Sequence, residues 1–116
     1  MRILVCGDRN WTSKTAIERE LKKLPEGSVI IEGEARGADT LGRIVAEELG
    51  FEVEKYPADW KRYGRSAGPI RNKRMLTKGR PDLVIAFHPC LETSKGTVNM
   101  IRQANRAKVN VLWIKG

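Results

Sequence analysis

Apolar residues fall along this chain in two kinds of pattern. Short continuous runs, such as Ile3-Leu4-Val5-Cys6, Val29-Ile30-Ile31 and Leu83-Val84-Ile85-Ala86-Phe87, alternate with longer stretches in which apolar positions recur every three or four residues. The first kind suits strands buried on both faces of a parallel sheet, and the second suits amphipathic helices. The pattern predicts a strand over Arg2–Cys6, then a helix capped by Thr12 or Ser13 with Ile17, Leu21 and Leu24 on one face. Pro25-Glu26-Gly27 closes that helix, and a strand over Val29–Glu32 and a helix over Leu41–Leu49, ending at Gly50, follow. Phe51–Tyr56 alternates and predicts a third strand nearer a sheet edge.

Pro57–Pro69 reads as irregular chain carrying Trp60, Tyr63, Lys61, Arg62 and Arg65. A helix then starts at Pro69 or Ile70, where proline is tolerated in a first turn, and stops around Gly79. A strand over Asp82–Phe87, a loop over His88–Lys95, a helix opened by Gly96-Thr97 with Val98, Ile101 and Ala104 inward, and a strand over Val109–Trp113 complete the chain. Strands alternating with helices imply an α/β fold. The expectation is one Rossmann-like, doubly wound domain over residues 1–116, a five-stranded parallel sheet flanked by helices with right-handed crossovers.

In such sheets ligands bind beyond the carboxyl ends of the strands, where the strand order reverses. The residues that follow the strands here differ in kind from those that precede them. Behind the first strand come Gly7, Asp8, Arg9 and Trp11; behind the second, Gly33, Arg36, Gly37 and Asp39. Trp60, Arg62, Tyr63 and Arg65, then Arg71, Asn72 and Arg74, follow the third, and His88, Ser94, Lys95, Gly96 and Thr97 follow the fourth. The opposite ends, around Pro25-Glu26-Gly27, Gly50, Gly79-Arg80-Pro81 and Lys108, are ordinary turns. One rim therefore gathers glycines, hydroxyls, arginines and aromatics, which points to a phosphate-bearing ligand.

The organising stretch is Gly33–Asp39. Strand, glycine-containing turn and helix together aim free backbone N–H groups at an anion. Gly33 and Gly37 permit backbone angles that a Cβ forbids and let a ligand approach the main chain. Arg36 adds a planar fork suited to phosphate or carboxylate; a plain strand-to-helix turn with a surface arginine is the alternative. Ser94-Lys95-Gly96-Thr97 can cradle a phosphate at a helix start or simply cap that helix. Neither the P-loop spacing nor Gly-x-Gly-x-x-Gly after the first strand is present. Trp11, Trp60 and Tyr63 can stack on a base or anchor loops to the sheet. His88 reads as an acid or base, or as a loop residue. Asp39 and Asp8 read as acceptors for a ribose hydroxyl, or as partners of a helix dipole or turn.

Charge narrows the partners. Lys and Arg number 22 against 14 Asp and Glu, a formal net charge of +8, which favours a nucleotide, a nucleic acid or an acidic protein. Apolar content of 41% and charged content of 31% are those of a folded soluble domain. No apolar run approaches the roughly 20 residues of a membrane span, and the start has no signal-peptide layout, so a cytoplasmic protein without a membrane partner is expected. Two cysteines, Cys6 and Cys90, make neither a disulfide framework nor a metal-ligand set, and Cys6 reads as a small core hydrophobe. No metal and no required cofactor are expected beyond the nucleotide-type ligand.

Five segments together resemble a known family. Ile3–Trp11, Glu32–Asp39, Pro57-Ala58-Asp59-Trp60, Gly68–Met75 and Ser94–Thr97 are similar, in this order, to the YspA-type branch of the SLOG superfamily, common in bacteria and phages. That superfamily includes the cytokinin-activating LOG phosphoribohydrolases and the DNA-processing protein DprA. The resemblance implies a Rossmann-like sheet that binds nucleotides or nucleotide-derived ligands at the strand ends. Arg36-Gly37-Ala38-Asp39 resembles the Arg-Gly-x-Asp element of DprA and implies a phosphate role for that turn. Arg71-Asn72-Lys73-Arg74 resembles the Arg-Asn-Arg of DprA and the segment carrying a catalytic arginine in LOG enzymes. Gly96-Thr97 aligns with the Gly-Thr of the LOG motif Pro-Gly-Gly-x-Gly-Thr-x-x-Glu, but Met100 stands where that motif has its catalytic glutamate, and Glu34 replaces an expected glycine.

Three functions follow as expectations. The first is a nucleotide-ligand sensor or sequestering domain without turnover. The second is a nucleotide hydrolase cleaving an N-glycosidic or phosphoester bond, with Arg71, Asp8 and Asp39 as catalytic candidates and Glu34 as a further carboxylate. The third is single-stranded nucleic-acid binding, by analogy with DprA. A homodimer is the oligomer the family implies, with Trp113 or Met100 as the exposed residues to serve it.

Overall fold

The apolar runs and the alternating stretch become five parallel strands: β1 (Arg2–Gly7), β2 (Val29–Glu32), β3 (Glu52–Lys55), β4 (Leu83–Phe87) and β5 (Asn110–Ile114). They form one sheet of order β3-β2-β1-β4-β5 in a computed structural model that describes residues 1–116. β1 lies at the centre, with Leu4 opposite Ile31 on one side and Val84 on the other. Successive side chains of β1 alternate between two cores. Ile3 and Val5 pack with Ile30, Ile85 and Phe87 under helices α1 (Lys14–Leu21) and α2 (Ala38–Glu48). Leu4 and Cys6 pack with Ile31, Val84 and Ala86 under α4 (Ala67–Thr77) and α5 (Gly96–Arg106), a short helix α3 (Trp60–Tyr63) lying before α4. The five-stranded parallel sheet flanked by helices is thus as expected from the sequence, with β3 at an edge.

Several boundaries differ, each for a local reason. Ser13, rather than Thr12, caps α1, its Oγ accepting from Ala16 N–H at 3.2 Å. Helix α2 starts at Ala38 instead of Leu41, because Ala38 N–H donates to the carbonyl of Asp8 at 3.0 Å and anchors the first turn to the loop after β1. The Pro57–Pro69 segment is not irregular throughout. It holds α3 and a 3₁₀ turn over Gly64–Ser66, and α4 begins at Ala67, with small buried Ala67 and Gly68 allowing close packing and Pro69 in the first turn. In α5 the buried residues are Thr97, Met100 and Ala104; Val98 and Ile101 are only partly covered. Met100 is 1% exposed in the second core, so it cannot supply a dimer surface as expected. Trp113 is partly exposed, its Nε1 donating to the His88 carbonyl at 2.8 Å. No helix is long and apolar enough to cross a membrane.

The carboxyl end of β2 buries a charge-bearing group. Glu32 is fully buried; one carboxyl oxygen accepts the backbone N–H of Glu34 and the other has no partner. Burial, reinforced by the neighbouring Glu34 carboxyl, pushes the Glu32 pKa up to about 8, while the proximity of Glu32 holds Glu34 below its usual range. Folded protein therefore keeps a proton on Glu32 across a window, from the ordinary carboxylate pKa up to about 8, in which the unfolded chain has lost it. Stability contributed by that proton is present below the window and lost as pH rises through it. Glu32→Gln is neutral at every pH and should escape this loss. Its melting temperature relative to the parent should rise between pH 5 and pH 9 by at least about 4 °C, roughly 1 kcal/mol for a domain of this size; parallel pH profiles by calorimetry would show that Glu32 is not the titrating group.

Candidate functional site

β1 and β4 part where the strand order reverses, and the site lies beyond their carboxyl ends. β1 ends on Gly7, where a Cβ would collide with the carbonyl of Phe87 and with Ala38. The next residue closes the loop on itself. Asp8 N–H donates to Phe87 O at 2.9 Å, its carbonyl accepts from Trp11 and Ala38, and its carboxylate accepts Asn10 N–H at 3.0 Å. Gly37 has φ +78°, and a Cβ there would strike the carbonyls of Asp8 and Arg9, so the loops after β1 and β2 touch backbone to backbone. Of the two glycines expected to take forbidden angles only Gly37 does. Gly33 has another use, since a Cβ on it would occupy the space of the Arg71 guanidinium.

Arg71, on α4, is the residue around which the rim closes. Its Nη1 donates to the Gly33 carbonyl at 2.6 Å and its Nε to Asn72 Oδ1 at 3.0 Å, which leaves Nη2 free of protein partners. Burial draws its pKa down, opposed by the charge of Asp39 and aided by that of Arg9. Asn72 is buried, and its Nδ2 donates to Asn99 Oδ1 at 3.1 Å and to the Gly96 carbonyl at 3.4 Å. Asn99 also accepts from Gln103, which donates to the Pro69 carbonyl. Asn72 thus positions Arg71 and clamps α4 to α5, and Asn99, which the sequence reading passed over, completes the clamp.

Two cavities meet at Arg71, Arg9 and Ala35. The smaller, about 80 Å³, lies between Asp39, Asn72 and the start of α5 at Ser94, Gly96 and Thr97, with Cys6, Met75 and Met100 as an apolar floor. The wider, about 710 Å³, is walled by Arg36, Gly33, Glu34, Pro57, Ala58 and Trp60. Asp39 is buried, and its Oδ2 accepts the N–H groups of Gly33 at 3.1 Å and Ala35 at 3.3 Å. Burial raises its pKa to about 6 despite Arg71 and those two N–H donors. Ser94 Oγ accepts Thr97 N–H at 3.0 Å, the capping role, while the Thr97 hydroxyl-bearing residue itself borders the small cavity. Glu34 stands at φ +59°, a left-handed conformation that favours glycine, and its carboxylate lies 3.6 Å from Arg43.

Not every expected site residue reaches these cavities. Trp11 is buried against Phe87, ring centroids 5.7 Å apart, and its Nε1 donates to Ser13 O, so it anchors the loop and cannot stack on a base. The Asp8 carboxylate accepts Asn10 N–H within its own loop and lines neither of the paired cavities. Arg74 is exposed beside Tyr56, a turn beyond Arg71, and Lys95 is exposed and borders a separate groove with Leu91 and Arg102; neither lines the paired cavities. His88 is buried with Nδ1 accepting from Cys90 N–H at 3.0 Å, the arrangement of a structural histidine. No three His, Cys, Asp or Glu side chains gather so as to hold a metal ion. Pro57, Ala58 and Trp60 join the wall through a motif visible in the sequence; Cys6, Ala35 and Met75 lie inside the segments singled out there, but as small or apolar residues they were not read as site residues.

Comparison with known proteins places this site in a family. Residues 1–63, which span β1 to α3 and hold both the Gly7–Trp11 loop and the Gly33–Asp39 turn, match the family described as "YspA, cpYpsA-related SLOG family". The Gene 61 protein of Mycobacterium phage D29 is 37% identical over 120 aligned residues, covering 96% of this chain and 94% of its own. Among solved structures, DNA processing protein A (DprA) from Streptococcus pneumoniae superposes with a TM-score of 0.78 over 99% of this chain, at 21% identity. That likeness is one of fold, and this chain spans 50% of the DprA chain. On the match over β1 to α3 and the full-length similarity to the phage protein, the chain belongs to the YspA, cpYpsA-related SLOG family.

Proposed function

We propose that the paired cavities bind a nucleotide or nucleotide-derived ligand and that the protein acts as a sensor or sequestering domain, without turnover. The observation that carries this reading is Arg71. Its guanidinium is fixed from two sides, sits where the cavities join, and keeps Nη2 available. A phosphoryl group at that fork also meets the start of α5, where backbone N–H groups and the positive end of the helix favour an anion. Arg9 and Arg36 on the same walls extend the positive field over a ligand with more than one phosphate. The sugar and base then occupy the wider cavity.

Turnover has less support. α5 brings Met100 to the small cavity where LOG enzymes place a glutamate, and Asp8 is engaged in its loop. The observation that favours a hydrolase as second reading is Asp39, a carboxyl in the small cavity that changes charge near pH 6. Single-stranded nucleic-acid binding is the third reading, supported by the +8 charge and the fold shared with DprA.

A thermal-shift panel of AMP, ADP-ribose, NAD and a short single-stranded oligonucleotide separates these readings. A nucleotide at about 100 times its dissociation constant should raise the melting temperature by roughly 10 °C or more. Arg71→Ala should abolish that shift and Arg36→Ala reduce it; an undiminished shift in Arg71→Ala removes the basis of the proposal. Incubation with the shifting nucleotide, followed by chromatography, should return it intact; release of base or phosphate that Asp39→Asn abolishes would establish the hydrolase instead. Affinity for the nucleotide should fall only shallowly with salt. An oligonucleotide preferred over it, with a log–log slope of about −0.7 per phosphate contacted, would favour the nucleic-acid reading.

A further inference from the structure

The Pro57-Ala58-Asp59-Trp60 motif has no part in holding a phosphate, yet it shapes the wide cavity. Asp59 caps α3, its Oδ1 accepting Arg62 N–H at 3.1 Å, which fixes the turn that presents Trp60. The indole edge rests against the first turn of α4 at Gly68, where a Cβ would lie 3.5 Å from Cη2. Trp60 is nevertheless 50% exposed and lines the wide cavity beside Pro57 and Ala58. The Arg9 guanidinium lies 5.9 Å from the centroid of the same ring and borders both cavities. A tryptophan held in place from below and left half open contributes little to the core. Its flat π-face, in a wall shared with three arginines, offers what an aromatic base requires.

We propose that Trp60 is the stacking platform for the ligand's base, with Arg9 placed to cover the stacked ring, so that the ligand is a base-bearing nucleotide and not a bare sugar phosphate. This rests on the nucleotide reading of the site and extends it to the other end of the ligand. Tyr63, the second exposed aromatic of the segment, pairs with Arg62 at 5.1 Å and does not line the cavity, so the platform accommodates one base.

Calorimetric titration of the parent, Trp60→Ala, Trp60→Phe and Arg71→Ala proteins with ribose 5-phosphate and with AMP, GMP, CMP and UMP tests this. At least one nucleoside monophosphate should bind the parent about 10-fold or more tightly than ribose 5-phosphate, the margin base–aromatic stacking supplies. Trp60→Ala should remove that margin by weakening the nucleotide about 10-fold more than ribose 5-phosphate, Trp60→Phe should keep most of it, and Arg71→Ala should weaken every probe. A folded Trp60→Ala protein, with parental circular dichroism and melting temperature, that binds the nucleotide as the parent does would overturn the platform alone. Equal loss of nucleotide and ribose 5-phosphate in Trp60→Ala would overturn it too. Failure of every probe to bind the parent would overturn the nucleotide reading, and this inference with it.

Discussion

The upper rim of this molecule depends on one half-buried guanidinium. Arg71 crosses from α4 to the turn after β2, and the absent side chain of Gly33 is the condition for its passage. Drawing an arginine part-way out of water costs less when its covered donors find acceptors and its charge finds a counter-charge. The Gly33 carbonyl, Asn72 and the nearby Asp39 meet those needs. Asn72 is held in turn by Asn99 and Gly96, so the orientation of one side chain over β2 is set by a relay that begins on α5.

The turn after β2 also concentrates negative charge. Glu32, Glu34 and Asp39 lie close enough that each alters the titration of another. Folding accommodates them by keeping a proton on Glu32, by placing Arg43 beside Glu34, and by aiming two backbone N–H groups at Asp39. The left-handed backbone of Glu34 adds strain of about 1 kcal/mol or more. Local rules broken together in one short turn, while the strands and helices around it obey them, are the mark of a segment shaped for something other than stability.

Much of this was legible in the sequence, and the exceptions are instructive. Continuous apolar runs locate the three inner strands, which are covered on both faces and admit little else, while alternation marks β3 at the edge. The rim on which the two cavities open was also readable, since glycines, arginines and aromatics gather together after the strands and not before them. Trp11 and Trp60 show the limit. Both follow strands and both are tryptophans, but one packs on Phe87 and the other faces the cavity; the difference is made by β4 and by Gly68, distant in sequence. Gly33 likewise gives no sign that its vacancy is filled by a residue of α4. Val98 and Met100 sit two positions apart on α5, and a short helical pattern cannot decide which of them turns inward.

The central place of β1 has a kinetic consequence. Ile3 pairs with Ile30 on one side, a nearby partner, and with Leu83 on the other, a distant one. The contact between the loops after β1 and β2 can therefore form early, whereas the Asp8–Phe87 hydrogen bond, the fork of Arg71 and the start of α5 come into place only when β4 has closed the sheet, a step whose long loop makes it slow. A partly folded chain would display the two turns without the cation that completes them. Any molecule held in this rim thus recognises only the finished fold, and it would prolong the life of that fold by slowing its opening more than by hastening its assembly.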